Sequence, residues 1–358
     1  MKQNNHKVII WLTEVKKLLD GKPIGGIAVQ MFFWAQVLVK NGWQVYSFAE
    51  DTKMTTSLDG IIFKPVKNIP RINLLLEWWR SLKYLLTIHP DVVLFRGAHR
   101  NLLPLALFSR LLGVKLVYFS ASDVNFEPGK ELVGSEFNRK LYHSSIRHIH
   151  YFVTQNQHQH DTLLRNYGKD SLTMYNIWGK TPTNEHDIPP KSDAVWVANF
   201  RKLKRAEWVM AAAKHCKDYH FVMAGGGNDE YYIEMQNEAG KIDNLGFLGP
   251  KSFFYTNSLV QKSKVLLCTS TFEGFPNTFL QAWSNGLPVI STVDPSGIIS
   301  ENGLGEVINN ETELVAALKR LLGDEDYYKK LCSSVSDFFQ QHHASQSGYE
   351  RLIEYIHI

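Results

Sequence analysis

In the segment STFEGFPNTFLQAWSNGLPVIST (270–292) an apolar run passes through a Gly-Pro turn into a helix-like stretch and then a new apolar run. The turn sets Glu273 at the carboxyl end of an expected parallel strand, the place where open α/β sheets bind ligands. Beyond it, the backbone N–H groups of Gly274, Phe275 and Asn277 can meet an anion or sugar hydroxyls at a helix start. Pro276 has no N–H to offer. Gln281, eight residues after Glu273, lies about two helical turns on, where an amide can hydrogen-bond a ribose diol. The same residues would also serve as a turn with a solvated glutamate and a helix with a polar face.

A second cluster lies in VANFRKLKRAEW (197–208), between an expected strand and a helix. Asn199 opens this loop. Arg201, Lys202, Lys204 and Arg205 follow, and two such cations at a helix start would neutralise a diphosphate leaving group. A solvated basic loop is the plainer reading. Gly225 and Gly226 in AGGGND (224–229), and Gly25 and Gly26 in PIGGIAVQ (23–30), permit tight turns and a close approach of backbone to ligand. Asp123, just past another strand end, suits sugar hydroxyls or the acceptor, and equally a helix N-cap. Arg96, His99 and Arg100 in RGAHRN (96–101) are candidates for acceptor or phosphate contacts. His158 and His160 stand two apart on an expected helix and face different sides, so they do not chelate one ion. With no DxD carboxylate pair at a strand end, no metal site is expected, and the basic loop supplies the neutralising charge.

The elements that must position these residues alternate. Short apolar runs at 7–12, 44–48, 60–64, 91–95, 115–119 and 150–154 are separated by longer amphipathic stretches. A helix is expected over 29–41, ending at Gly42. Further strands are expected at 194–198, 220–224, 245–249, 264–268, 288–292 and 305–309. Alternation of this kind means βαβ units and parallel sheets. The stretch 176–193 is rich in Pro, Thr, Asn and charge and reads as a linker between domains at 1–178 and 190–342. A last helix, about 343–358, docks on its own domain or crosses back to the first.

With 358 residues, 44% of them hydrophobic and 21% charged, the chain has the length for two domains and the balance of a folded protein. A net charge of +4 is too mild for nucleic acid and compatible with anionic substrates or peripheral contact with an anionic membrane surface. The three cysteines, Cys216, Cys268 and Cys332, form no CxxC pair, and a reducing, cytoplasmic setting is expected. No apolar stretch reaches the length of a membrane span.

The chain resembles the retaining GT-B glycosyltransferases of family 4, most strongly over about 194–322. The family signature places two glutamates eight positions apart before an Ala, a Gly and a Pro-Val-Ile strand. Glu273, Gly274, Phe275, Ala282, Gly286, Pro288, Val289 and Ile290 match it. The resemblance implies two Rossmann-like parallel-sheet domains facing across a cleft, the second binding a UDP- or GDP-linked sugar. It implies that Glu273 contacts the donor sugar near the reaction centre, that the position of Gln281 binds the ribose, and that Lys204 binds phosphate. Gly25 and Gly26 match the glycine loop that meets the diphosphate. Three positions depart from the pattern: Gln281 replaces the second glutamate, Asn199 an arginine, and Ser122 a histidine.

The expected activity is transfer of a sugar, with retention, to a glycan or lipid-linked acceptor, at the inner face of a membrane or free in the cytoplasm. A non-catalytic glycan-binding scaffold and a sugar-nucleotide epimerase or phosphorylase are the alternatives. Leu75, Trp78, Trp79, Leu82 and Leu86 in 72–90 form a stripe flanked by Arg80 and Lys83. It suits either packing on the sheet, the preferred reading, or contact with a membrane.

Overall fold

The computed structural model describes residues 6–22, 24–50, 53–67, 74–130, 133–179, 181, 190–273 and 275–358. The chain divides into two compact units. Unit 1 holds Met1–Asp20, Ile24–Gly179 and Ala344–Ile358, and unit 2 holds Gly21–Pro23 and Lys180–His343.

Unit 1 runs β1 (Lys7–Ile10), α1 (Glu14–Leu19), α2 (Gly26–Lys40), β2 (Gln44–Ala49), β3 (Thr56–Leu58), β4 (Ile61–Pro65), α3 (Leu74–Ile88), β5 (Val92–Arg96), α4 (Leu102–Leu111), β6 (Lys115–Phe119), α5 (Glu136–Ile146), β7 (Tyr151–Thr154), α6 (Gln157–Tyr167) and β8 (Leu172–Thr173). The sheet order is β3-β4-β2-β1-β5-β6-β7-β8, parallel except for β3 against β4. Central strands such as VVLF of β5 are buried on both faces, as a sheet covered by helices on each side requires.

Helix α2 starts three residues before the expected 29, with Gly25 as an extended N-cap and Gly26 as its first residue. It ends where expected, and Gly42 beyond it takes φ 83°. Helix α3 turns Glu77, Ser81, Tyr84, Leu85 and Ile88 inward, while Leu75, Leu76, Trp79 and Leu86 stay exposed. The stripe read from sequence is therefore not the packing face. The inward residues follow i, i+4, i+7, i+8 and i+11, one continuous side of a helix.

Unit 2 runs β9 (Ser192–Val197), α7 (Ala206–His215), β10 (Phe221–Ala224), α8 (Glu230–Ala239), β11 (Leu245–Phe247), α9 (Phe253–Gln261), β12 (Ser263–Cys268), α10 (Asn277–Trp283), β13 (Val289–Ser291), α11 (Ile298–Asn302), β14 (Gly305–Val307), α12 (Glu311–Gly323) and α13 (Glu325–His342). Its sheet is wholly parallel, in the order β11-β10-β9-β12-β13-β14. Chain order reverses between β9 and β12, the switch point of a doubly wound sheet, where the loops after both strands open a crevice. In unit 1 the reversal falls between β1 and β5.

The chain then ends with α14 (Ser345–Tyr355), which belongs to unit 1. Leu352 and Ile356 are buried. Trp43 Nε1 lies 3.0 Å from Tyr349 Oη, Lys115 Nζ donates to the Ile356 and His357 carbonyls at 2.8 and 2.9 Å, and Arg351 donates to the Thr173 carbonyl at 2.9 Å.

Candidate functional site

In unit 2 the loops that follow β9 and β12 meet at the switch point. Thr271 N donates to the Leu203 carbonyl at 2.7 Å, and Thr269 Oγ1 donates to the Lys204 carbonyl at 2.7 Å. Trp196 Nε1 in turn donates to Thr269 Oγ1 at 3.1 Å, tying the junction to the core. Arg205, in the left-handed region at φ 48°, donates to the Thr269 and Ser270 carbonyls at 2.6 and 3.0 Å, and its guanidinium stacks on Trp208 at 4.1 Å. Arg205 is therefore a brace that joins the basic loop to the next strand end, and its charge is spent on those carbonyls.

The brace aims Lys204 at Glu273. Lys204 Nζ forms a direct ion pair with Glu273 Oε1, which also accepts from Ser270 Oγ at 2.9 Å. The two side chains are 18% and 22% exposed, so their mutual attraction is screened less than that of a surface pair, yet an incoming ligand can reach both. Ser270 sits in the segment singled out from sequence but was not among the site candidates; a hydroxyl three residues before the glutamate is the signal that marks it.

The loop that carries Lys204 also lines a hollow of about 360 Å³, through Asn199, Phe200 and Arg201, with residues 226–229 on the other side. Arg201 is exposed at its rim. Phe200 N donates to the Gly226 carbonyl at 2.8 Å, and Gly225 N donates to the Gly249 carbonyl at 2.9 Å, so the two loops are laced together. A Cβ on Gly225 would overlap the Ala198 carbonyl oxygen, whereas one on Gly226 would make an ordinary contact with Pro250 at 3.5 Å. Gly225 is thus demanded by loop packing, and Gly226 is the glycine that opens the hollow.

The other donor candidates are placed less directly. Gly274 lies outside the described residues. Helix α10 begins only at Asn277, so Gln281 is one turn into it and not two turns beyond Glu273. Gln281 is 4% exposed, and its Nε2 donates to Thr256 Oγ1 at 3.3 Å. The amide faces α9. The Phe275 ring packs near Phe279, Trp283 and His343 at 5.9–6.2 Å, so only its backbone remains for a ligand.

In unit 1, a Cβ on Gly25 would meet nothing within 4 Å. The helix start there is open, and packing does not require its glycine. Asp123 Oδ1 accepts from Asn156 Nδ2 at 3.0 Å and Gln159 Nε2 at 2.8 Å, which fastens it to the first turn of α6. Arg100 pairs with the buried Glu77 at 3.2 Å, an ion pair between α3 and the start of α4. His99 is exposed, and its Nδ1 accepts from Asn101 N at 3.2 Å. Arg100 and Asp123 thus each have partners within unit 1. Arg96 differs. It closes β5 and donates to Asn176 Oδ1 at 2.8 Å, across 80 residues of sequence, a pairing no local signal reveals.

Residues 184–335 match the family model described as glycosyl transferases group 1. The lipopolysaccharide 1,6-galactosyltransferase of Escherichia coli (strain K12) is 32% identical over 100 residues, which cover 26% of this chain and 26% of that protein. The match thus spans about a quarter of that relative's length. Among solved structures, sucrose-phosphate synthase (tll1590) from Thermosynechococcus elongatus superposes with a TM-score of 0.68 at 14% identity, covering 98% of this chain and 99% of that one. Anabaena Alr3699/HepE in complex with UDP and glucose gives 0.68 at 16%, and UDP-GlcNAc 2-epimerase from Neisseria meningitidis bound to UDP-GlcNAc 0.65 at 15%, with the same coverages. At these identities the likeness establishes the fold, which is GT-B.

Proposed function

From a second unit that carries a group 1 glycosyltransferase domain, we propose that this protein is a retaining glycosyltransferase that moves a sugar from a UDP- or GDP-linked donor to a glycan or lipid-linked acceptor, in the synthesis of a surface polysaccharide or glycoconjugate. One observation carries the reading: Lys204 and Glu273, from two loops at the switch point, form an ion pair, and the loop that supplies Lys204 also lines a hollow large enough for a nucleoside.

The pair suggests how the donor is engaged. A diphosphate is a stronger partner for Lys204 Nζ than a lone carboxylate, because it offers several anionic oxygens. Its arrival draws Lys204 from Glu273 and frees Oε1 to accept from sugar hydroxyls, with Ser270 still holding the carboxylate in place. As the glycosidic bond to the diphosphate breaks, Lys204 and Arg201 receive the growing negative charge without a metal ion. Gly25 caps an open helix start in unit 1, and unit 1 takes the acceptor. An epimerase on the same fold would turn over its donor with no acceptor present.

Contact with a membrane surface fits α3, whose Leu75, Trp79 and Leu86 are 82%, 59% and 45% exposed, with Lys83 Nζ 4.9 Å from the Trp79 ring. Among the described residues no helix is long and apolar enough to cross a membrane. Cys216, Cys268 and Cys332 are free, which supports a reducing compartment.

The test is thermal unfolding with UDP, GDP and their sugar conjugates, since a bound nucleotide raises the melting temperature by mass action. A shift with one nucleotide, followed by sugar transfer from its conjugate, is the expected result. No shift with either, with full-length folded protein, would overturn the reading.

A further inference from the structure

Burying a cation without a counter-charge is costly, and folded proteins pair such groups or keep them for a ligand. Arg96 is a half-buried cation without such a counter-charge. Its guanidinium donates through Nη2 to Asn176, its Nε is buried with no hydrogen-bond partner, and no carboxylate lies within 4 Å of it among the described residues. Burial holds its pKa down at about 10, with only a minor opposing effect from Tyr118, and it remains charged at neutral pH. The contrast with Arg100 is direct, since that residue, four positions on, has Glu77.

Place and shape agree with a binding role. Arg96 closes β5, one of the two strands at which the order of the unit 1 sheet reverses, so it stands where doubly wound sheets take their ligands. It faces a small depression of about 10 Å³, room for little more than one water, walled by Trp34 and Phe119 and edged by Ser120, Gln155 and Asn176. These come from α2 and from the segments after β6, β7 and β8. Ser120 and Gln155 are already bonded to Gln159 and to the Ser120 carbonyl respectively, so their orientation is fixed before any ligand arrives. The depression is too small for a whole sugar, and only a single oxygen of a bound group can enter it.

We infer that Arg96 is the anchor for an anionic group, a carboxylate or a phosphate, on the substrate that unit 1 binds. The inference rests on the proposed glycosyltransferase reading only in calling that substrate the acceptor: the acceptor is an acidic or phosphorylated glycan or lipid, and a neutral sugar does not fill the site. A guanidinium fixed by Asn176 keeps N–H groups that the protein leaves unbonded, in a planar fork that lysine cannot copy.

The experiment uses the full chain saturated with UDP, so that phosphate-like probes are kept from the unit 2 site. Inorganic phosphate, glucuronate and glucose are then titrated, with melting temperature and Trp fluorescence as readouts. A shift with phosphate or glucuronate and none with glucose is expected, and which anion acts separates a phosphorylated from a carboxylated acceptor. R96Q should abolish that response, and R96K should weaken it at least tenfold. In anion-free buffer R96Q should melt at or above the wild-type temperature, because it removes an unpaired buried charge. A lower melting temperature for R96Q would assign Arg96 a structural role and overturn the inference. So would an anion response that survives R96Q, or the absence of any anion response in the wild type. If UDP itself produces no shift, the donor reading fails, while the comparison of R96Q with wild type still decides whether Arg96 binds an anion.

Discussion

Lys204 and Glu273 neutralise each other, and that makes their substitutions separable. Lys204→Ala removes the phosphate partner and should erase the nucleotide-dependent rise in melting temperature. Glu273→Ala leaves Lys204 free for the diphosphate and should keep that rise while transfer falls by roughly 10²–10³, the loss typical of one misplaced electrostatic group. Equal loss of nucleotide binding in both would sink this division of labour. The glycines are separable too. Gly225→Ala forces a Cβ into the Ala198 carbonyl and should cost about 1–3 kcal/mol in urea unfolding, as overpacking does. Gly226→Ala should unfold like wild type but bind nucleotide more weakly, because its methyl enters the hollow. From sequence, Glu273, Lys204 and the glycines were legible as short segments at strand ends, since the alternating pattern brings such ends to one edge of a sheet. What was not legible was which polar groups were already engaged. Arg205 reaches Ser270, Arg100 reaches Glu77, and Gln281 reaches Thr256, all across distances that carry no local signature.

At the scale of single elements, α3 separates two tryptophans that the sequence treats alike. Trp78 packs edge-on against Phe108 at 5.8 Å, whereas Trp79 is exposed. Trp78→Ala should lower stability by about 2 kcal/mol, part of the cost of truncating a fully buried tryptophan. Trp79→Ala should change stability by less than about 0.5 kcal/mol and reduce co-sedimentation with vesicles rich in anionic lipid. Binding that is unchanged by Trp79→Ala would remove α3 from any membrane contact. The buried parallel strands were readable where they carry a short apolar run, such as VVLF in β5 and FVMA in β10. β3 was not, for all its residues are exposed and it pairs antiparallel at the sheet edge, and β8, Leu172–Thr173, is too short to leave a pattern. The inward face of α3 was misjudged for a related reason: Glu77 and Ser81 sit on it, and a count of apolar residues passes over them.

For the molecule as a whole, the last helix is the feature with the widest reach. The sequence left open whether it docks locally or returns to the first domain, and its contacts place it in unit 1. A chain ending at His343 should leave the Trp43 and Lys115 side of unit 1 uncovered. Limited proteolysis should then cut within 24–179 while a fragment covering 190–343 persists. Equal resistance of both regions would show that α14 is dispensable. The same arrangement governs how the polypeptide is born. Translation releases the N-terminal part first, yet its final helix leaves the ribosome only after the whole of Lys180–His343 has been made, a delay on the order of ten seconds or more at typical elongation speeds. During that interval the earlier-made body stays unfinished at one edge, whereas the later-made one needs no residue beyond His343 to fold. Any tag or fusion appended after Ile358 therefore joins the chain at the piece that closes its oldest half.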